Sequence, residues 1–285
     1  MAGSPRTVER ADYNTNFEVG GKRVETPPFR SRMEGSMSDK ESSSASLKKL
    51  GIIGGLGPAA TAQLFTRIVE LTDAATDQDH LDITILNRPQ TPDRTAYILG
   101  KSDQSYIPAV REAALELERL GCEVICMPCV TGHYRSEETF GVLSSAHVVH
   151  MPIETAKFLV GAGKHTVGVM ATDGTGRAGV LQHALESQGL EPVFPDPEFQ
   201  AKVMSIIYDD VKAGRPADMQ AFYDVCAHLR SRGCDSVILG CTELSVIPAP
   251  AVAHGMLVVD AMEVLAMRAV EECGARLKES ARILG

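Results

Sequence analysis

No stretch of this sequence reaches the roughly 18 uninterrupted apolar residues that a membrane-spanning helix needs. The nearest approach, Val258 to Val270, is broken by Asp260, Glu263 and Arg268. A membrane partner is therefore not expected. Positive charge is also in deficit: 28 Lys and Arg stand against 37 Asp and Glu, a net charge of -9. Such a balance argues against nucleic acid or an anionic lipid surface as partner. It leaves room for a local basic pocket that holds a small anion. The chain lacks paired histidines and a second C-x-x-C, so zinc ligation is not indicated. Nothing in it points to pyridoxal phosphate or another cofactor. The seven cysteines are odd in number and no secretory signal precedes them, which leads us to expect a reduced, cytoplasmic setting.

The 285 residues, 44% of them hydrophobic, can bury one large core or two modest ones. Residues 1–47 differ from the rest. They are rich in Ser, Gly and charge, without apolar periodicity, and are expected to be a disordered tail.

From Lys48 onward the pattern alternates. Leu50 to Ile53 is a strand that ends in Gly54-Gly55-Leu56-Gly57-Pro58, and Pro58 suits a first helical turn. Ala62, Leu64, Phe65, Ile68, Val69 and Leu71 then follow at helical spacing. Asp82 to Leu86 is a second strand. Val110, Ala113, Ala114 and Leu117 mark another helix, closed by Gly121, and Val124 to Met127 is a buried strand leading to Pro128-Cys129. The second half repeats the plan: strand Thr166 to Ala171, a turn at Thr172, a helix from Met219 to Leu229, and strand Ser236 to Leu239 leading to Gly240-Cys241. Gly121-Cys122-Glu123 aligns with Gly233-Cys234-Asp235, and at the same offset Cys129 aligns with Cys241. Pro152-Ile153-Glu154 and Val258-Val259-Asp260 are a further matched pair.

These patterns predict an α/β protein of two pseudo-symmetric lobes, each a parallel-type sheet flanked by helices. The expected lobes are 48–146 plus 254–285, and 147–253. Each lobe sets a cysteine just past the carboxyl end of a strand, where open parallel sheets bind ligands. If the lobes face each other, two thiols share a cleft. Removing a proton from one face of an α-carbon and returning it to the other needs just such a pair of acid/base groups. The segments after each cysteine, from Thr131 and from Thr242, are expected to begin helices whose dipoles favour thiolate. Two plainer readings compete. A cysteine at a strand end can be simple apolar filling, and Cys126-Met127-Pro128-Cys129 also spells a dithiol redox motif.

The chain resembles the aspartate/glutamate racemase family, and specifically its aspartate racemase branch. The likeness runs from about Lys48 to the C-terminus. It rests on Gly51-Ile52-Ile53-Gly54-Gly55-Leu56-Gly57-Pro58, on Asn87-Arg88-Pro89-Gln90-Thr91-Pro92-Asp93-Arg94-Thr95, on Met127-Pro128-Cys129 and on Val237-Ile238-Leu239-Gly240-Cys241-Thr242-Glu243. The resemblance implies a cofactor-independent racemase of aspartate, with glutamate or a broader set of amino acids as alternative substrates. It implies catalysis by Cys129 and Cys241, carboxylate binding by Arg94 and Lys212, head-group contacts from Thr131 and Thr242, and a homodimer. His133 and Glu243 are candidates to tune the thiols. One departure stands out: the family usually has Asn after its first cysteine, and here Val130 supplies no hydrogen bond. That keeps a diverged isomerase or a binding protein on the same fold among the readings.

Overall fold

The computed structural model describes residues 47–279 and two short strands near the N-terminus, β1 (Glu18–Val19) and β2 (Lys22–Arg23), which pair antiparallel. That pair belongs to a unit of its own, Met1–Met37, and the racemase-like region lies in a second unit, Ser38–Gly285. Apart from this pair and residue 47, the tail expected to be disordered lies outside the described residues. Among the described residues, no helix is long and apolar enough to cross a membrane.

Among its described residues, the second unit holds two sheets. In the first, β3 (Leu50–Gly54), β4 (Ile83–Asn87), β5 (Val124–Cys126) and β6 (His147–Val149) run parallel in the order β4-β3-β5-β6. In the second, β7 (Thr166–Met170), β8 (Glu191–Val193), β9 (Ser236–Leu239), β10 (Val252–Ala253) and β11 (Met256–Asp260) lie in the order β10-β11-β9-β7-β8. Only the β10–β11 pair is antiparallel there. With β10 set aside, each sheet carries its strands in the chain order second, first, third, fourth. The repeat read from sequence is thus a repeat of topology.

Among the described residues, ten α-helices flank the sheets: α1 (Pro58–Leu71), α2 (Arg94–Ile98), α3 (Ile107–Arg119), α4 (Ser136–Phe140), α5 (Met151–Gly161), α6 (Asp173–Ala178), α7 (Val180–Ser187), α8 (Pro197–Ser205), α9 (Met219–Ser231) and α10 (Ala261–Glu272). Strand side chains alternate between faces. On β5, Val124 and Cys126 enter the large central core with Leu64, Leu159, Leu181 and Leu265, whereas Ile125, and Met127 just past the strand, enter an outer core with the α3 side chains. On β9, Ile238 joins the same central core, and Val237 and Leu239 pack outward with α9. The central core is therefore shared between the two sheets.

The lobe boundaries differ from those read in the sequence. The strand His147–Val149, assigned to the second lobe, stays in the first sheet through Ile125↔Val148 pairing. Met256–Asp260, assigned to the first, stays in the second through Val237↔Val258 pairing. The chain crosses one strand later in each half, with the helix that follows. α5 packs on α7 and α10, and α10 packs on α1 and β5. Pro152–Glu154 lies in helix α5, so its alignment with strand residues Val258–Asp260 does not hold.

Candidate active site

Cys129 and Cys241 occupy matching places. Each follows the third strand of its sheet in extended conformation and opens a single 3-10 turn, Val130–His133 after Cys129 and Thr242–Val246 after Cys241. The expected helices are absent. Turns of four and five residues carry little macrodipole, so the anticipated pull toward thiolate has no long helix behind it.

Around Cys129, the Thr131 hydroxyl stands 3.4 Å from Sγ. The turn is held by Tyr106, a fully buried side chain whose hydroxyl donates to the Tyr134 carbonyl at 2.9 Å and reaches the Thr131 carbonyl at 3.2 Å. Burial, then the nearby Cys129, push this phenol above its ordinary range, while Arg94 pulls it back. Arg94 opens α2, where Asp93 caps the helix by accepting from Ala96 N–H at 2.6 Å. Its guanidinium donates to the carbonyls of Leu56 (2.8 Å), Pro92 (3.1 Å) and Thr91 (3.4 Å). Its Nε is buried without a partner. An unused buried N–H beside bonded ones is a donor waiting for an acceptor.

Around Cys241, Sγ donates to Glu243 Oε2 at 2.9 Å, and the Thr242 hydroxyl donates to the same oxygen at 3.3 Å. Lys212 Nζ lies 3.6 Å from Glu243 Oε1 and 4.2 Å from the centre of the Tyr208 ring. A π-helical segment, Ile206–Val211, precedes Lys212 and carries Tyr208. Burial, the Glu243 charge and the bond to it push the Cys241 thiol well above its ordinary range, only partly offset by Lys212. Burial works against the Lys212 charge, but Glu243, Tyr208 and Cys241 together hold its pKa above the ordinary lysine value. Cys241 thus rests as a thiol, against the thiolate that the sequence suggested. Tyr208 was missed as a site residue; its place four residues before Lys212 was the available signal.

The eight residues singled out in the sequence fall into two groups, one at each cysteine, plus one outlier. Among the described residues, no hydrogen bond or ion pair joins the groups. The first group packs on helices that flank the second sheet. The turn after Cys129 seats against α6 and α7 of the second sheet's side, and α2 packs on α6 so closely that a Cβ at Gly174 would come within 2.6 Å of Thr95. Val130, buried, shares the central core with Ala171, Val180 and Leu181. Two concavities, of about 300 and 240 Å³, lie elsewhere, one beside Ser136, Phe140 and His150 and one beside Phe65, Leu81 and Ile83. Neither is lined by either cysteine.

His133 is the outlier. Its ring lies 4.5 Å from that of His150 and faces Phe140, and neither of its nitrogens has a partner. Burial, then His150, hold it well below the ordinary imidazole range. It is neutral in the fold and takes a proton when unfolded. Its stabilising contribution is therefore fully present above the unfolded pKa near 6.5 and is lost as pH falls below it, at up to about 1.4 kcal/mol per pH unit. We expect wild type to lose about 1–2 kcal/mol more than His133→Leu between roughly pH 7 and pH 5.5, measured by urea unfolding. Equal losses would remove this role.

The dithiol reading fails on geometry. Cys126 is wholly buried and points into the central core, whereas Cys129 belongs to the outer core on the other face of the sheet. All seven cysteines are free.

Two matching open α/β halves, each with a cysteine just past its third strand, make up the fold. The family model described as Asp/Glu/Hydantoin racemase matches residues 53–269. The chain belongs to this family. It is 30% identical to the Picrophilus torridus aspartate racemase, with a TM-score of 0.70 over 83% of this chain and 99% of that one. The aspartate racemase homologue from Pyrococcus horikoshii OT3 shares the fold at 24% identity, with a TM-score of 0.67 over 80% of this chain and all (100%) of that one. In sequence, the broad specificity amino-acid racemase RacX of Bacillus subtilis (strain 168) is 26% identical over 202 residues, 70% of this chain and 86% of RacX. Within the family the likeness falls on the aspartate racemase branch.

Proposed function

We propose that this chain interconverts L- and D-aspartate without a cofactor, by two-base exchange of the α-proton between Cys129 and Cys241. The observation that carries this reading is the equivalence of the two thiols: each opens the turn after the third strand of a matching sheet. The two resting environments then differ in a useful way. Cys241 holds its proton on a bond to Glu243 and serves as the acid when Cys129, as thiolate, takes the α-proton. The opposite enantiomer runs the same exchange backwards from the state the first direction leaves: Cys241, now thiolate, takes the α-proton, and Cys129, now thiol, supplies one to the other face. Lys212 offsets the charge of Glu243 throughout. The α-proton is weakly acidic, so the carbanion-like state must be stabilised. Arg94, with its unpartnered Nε–H, and the hydroxyls of Thr131 and Thr242 are the groups suited to a carboxylate. Val130 is spent on packing and gives the substrate no hydrogen bond.

A second reading is a broader amino-acid racemase. It is favoured by one observation: Lys212 is already paired with Glu243, and three Arg94 bonds go to carbonyls, so less positive charge is free to select a side-chain carboxylate. RacX, by its name, has broad specificity. Proton NMR of L-aspartate, L-glutamate and a neutral amino acid in D2O separates the readings. We expect the α-proton signal of aspartate to vanish together with optical rotation. Exchange of neutral amino acids at a comparable rate would establish the broader reading. No exchange with any of them, by a folded protein, would sink both.

A further inference from the structure

The turn that carries Cys241 is exposed at one end and anchored at the other. Val246 is 52% exposed, and the anchoring falls on Leu244, which is buried, and on Ser245. Ser245 is gripped twice, by residues far from it in sequence. Its hydroxyl donates to Asp260 Oδ1 at 2.6 Å, and its carbonyl accepts from Gln63 Nε2 at 2.8 Å. Asp260 ends β11 and also caps α10, accepting from Met262 N–H at 2.9 Å. Gln63 lies on α1, which follows the first strand of the other sheet. Behind them, Arg67 of α1 meets Glu263 of α10 at 2.8 Å and Glu70 at 3.0 Å. Three elements from both halves of the molecule thus meet at one serine.

Resting on the racemase reading above, we infer that Gln63, Asp260 and Ser245 form a clamp of positioning residues that sets the turn of Cys241 and Glu243 against the rest of the site. None of the three touches a reacting group. They act through the turn. A shift on the order of 1 Å in a reacting group can cost about a hundredfold in rate, so a hydrogen bond that fixes a loop counts in turnover before it counts in stability. The burial of Asp260 raises its carboxyl above the ordinary range, and the bonds from Ser245 and Met262 oppose that rise, as expected of an acid kept as an acceptor.

Ser245→Ala removes one grip and leaves the α10 cap intact; Gln63→Leu removes the other. We expect each to lower racemisation about tenfold in kcat, with little change in KM or in melting temperature. Ser245→Thr, which keeps the hydroxyl, should recover most of the activity. The double variant should lose less than the product of the two single losses, because both bonds hold one turn. Independently of turnover, iodoacetamide labelling followed by mass spectrometry across a pH series should show Cys241 shifted about fivefold in rate in each variant. Cys129, in the same digest, should be unchanged. Folded variants whose Cys241 labels as in wild type at every pH would overturn the clamp. A wild type that exchanges no α-proton, with Cys241 labelling still shifted in the variants, would keep the clamp and reject the racemase reading.

Discussion

Cys241→Ala and Cys129→Ala are each expected to lower racemisation by about a thousandfold or more, with the fold retained. The size follows from the chemistry. A two-base exchange needs a proton acceptor on one face of the α-carbon and a donor on the other, and loss of either stops the cycle. The two losses should not multiply in the double variant, because groups that act as a unit fail together. Stability should change little. Cys241 is only partly buried, and Cys129 is a small side chain at the edge of the outer core, so each truncation should cost about 1 kcal/mol. Cys126→Ala is the matched control: it removes a thiol three residues away on the opposite face of the sheet and should leave turnover near that of wild type. Initial rates from each enantiomer, with melting temperatures alongside, test all three variants. Wild-type turnover in either Cys241→Ala or Cys129→Ala would end the two-thiol mechanism.

What could be read from the chain, and what could not, divides along the range of the interactions. The third strand of each half announces itself locally: a buried apolar run, a glycine at the preceding helix end (Gly121 and Gly233 both have positive φ) and a cysteine after it. Local signals also gave α1, α3 and α9. The pairing that decides the chemistry of Cys241 is not local. Glu243 stands two residues away, but Lys212 arrives from the π-helical segment beyond α8, and only the fold brings them together. The helix expected after each cysteine had a plausible pattern and failed because each turn ends after a single 3-10 stretch. The lobe boundary failed for a related reason. A three-residue strand such as His147–Val149 is defined by its neighbour β5 and has no sequence period of its own.

The glycine-rich opening of the first lobe gave only a weak signal in sequence, yet it carries the second large prediction. Gly55 has φ of +91°, the left-handed region that glycine enters freely and other residues do not. A Cβ there would lie 2.4 Å from the carbonyl carbon of Arg88, 2.5 Å from its nitrogen and 2.6 Å from the nitrogen of Pro89. These are backbone atoms, so no rotamer change relieves the contact. The chain must move, and two bonds resist it: Gly55 N–H to the Thr61 hydroxyl at 3.0 Å, and Arg88 N–H to the Gly54 carbonyl at 3.1 Å. Gly55→Ala is accordingly expected to cost about 3–5 kcal/mol, from the φ penalty plus the clash. The displaced segment leads into Thr91 and Pro92, whose carbonyls, with that of the neighbouring Leu56, hold Arg94. Whatever fraction of the variant folds should therefore bind substrate less well, with KM raised about tenfold or more. Gly57→Ala makes the comparison clean, since that position has φ of -131° and nothing within 4 Å of an added Cβ. It should cost less than about 1 kcal/mol and leave KM alone. Urea unfolding and substrate titration of both variants decide the matter. A Gly55→Ala protein that unfolds with the wild-type midpoint would show that the Arg88–Pro89 segment yields freely and does not fix Arg94.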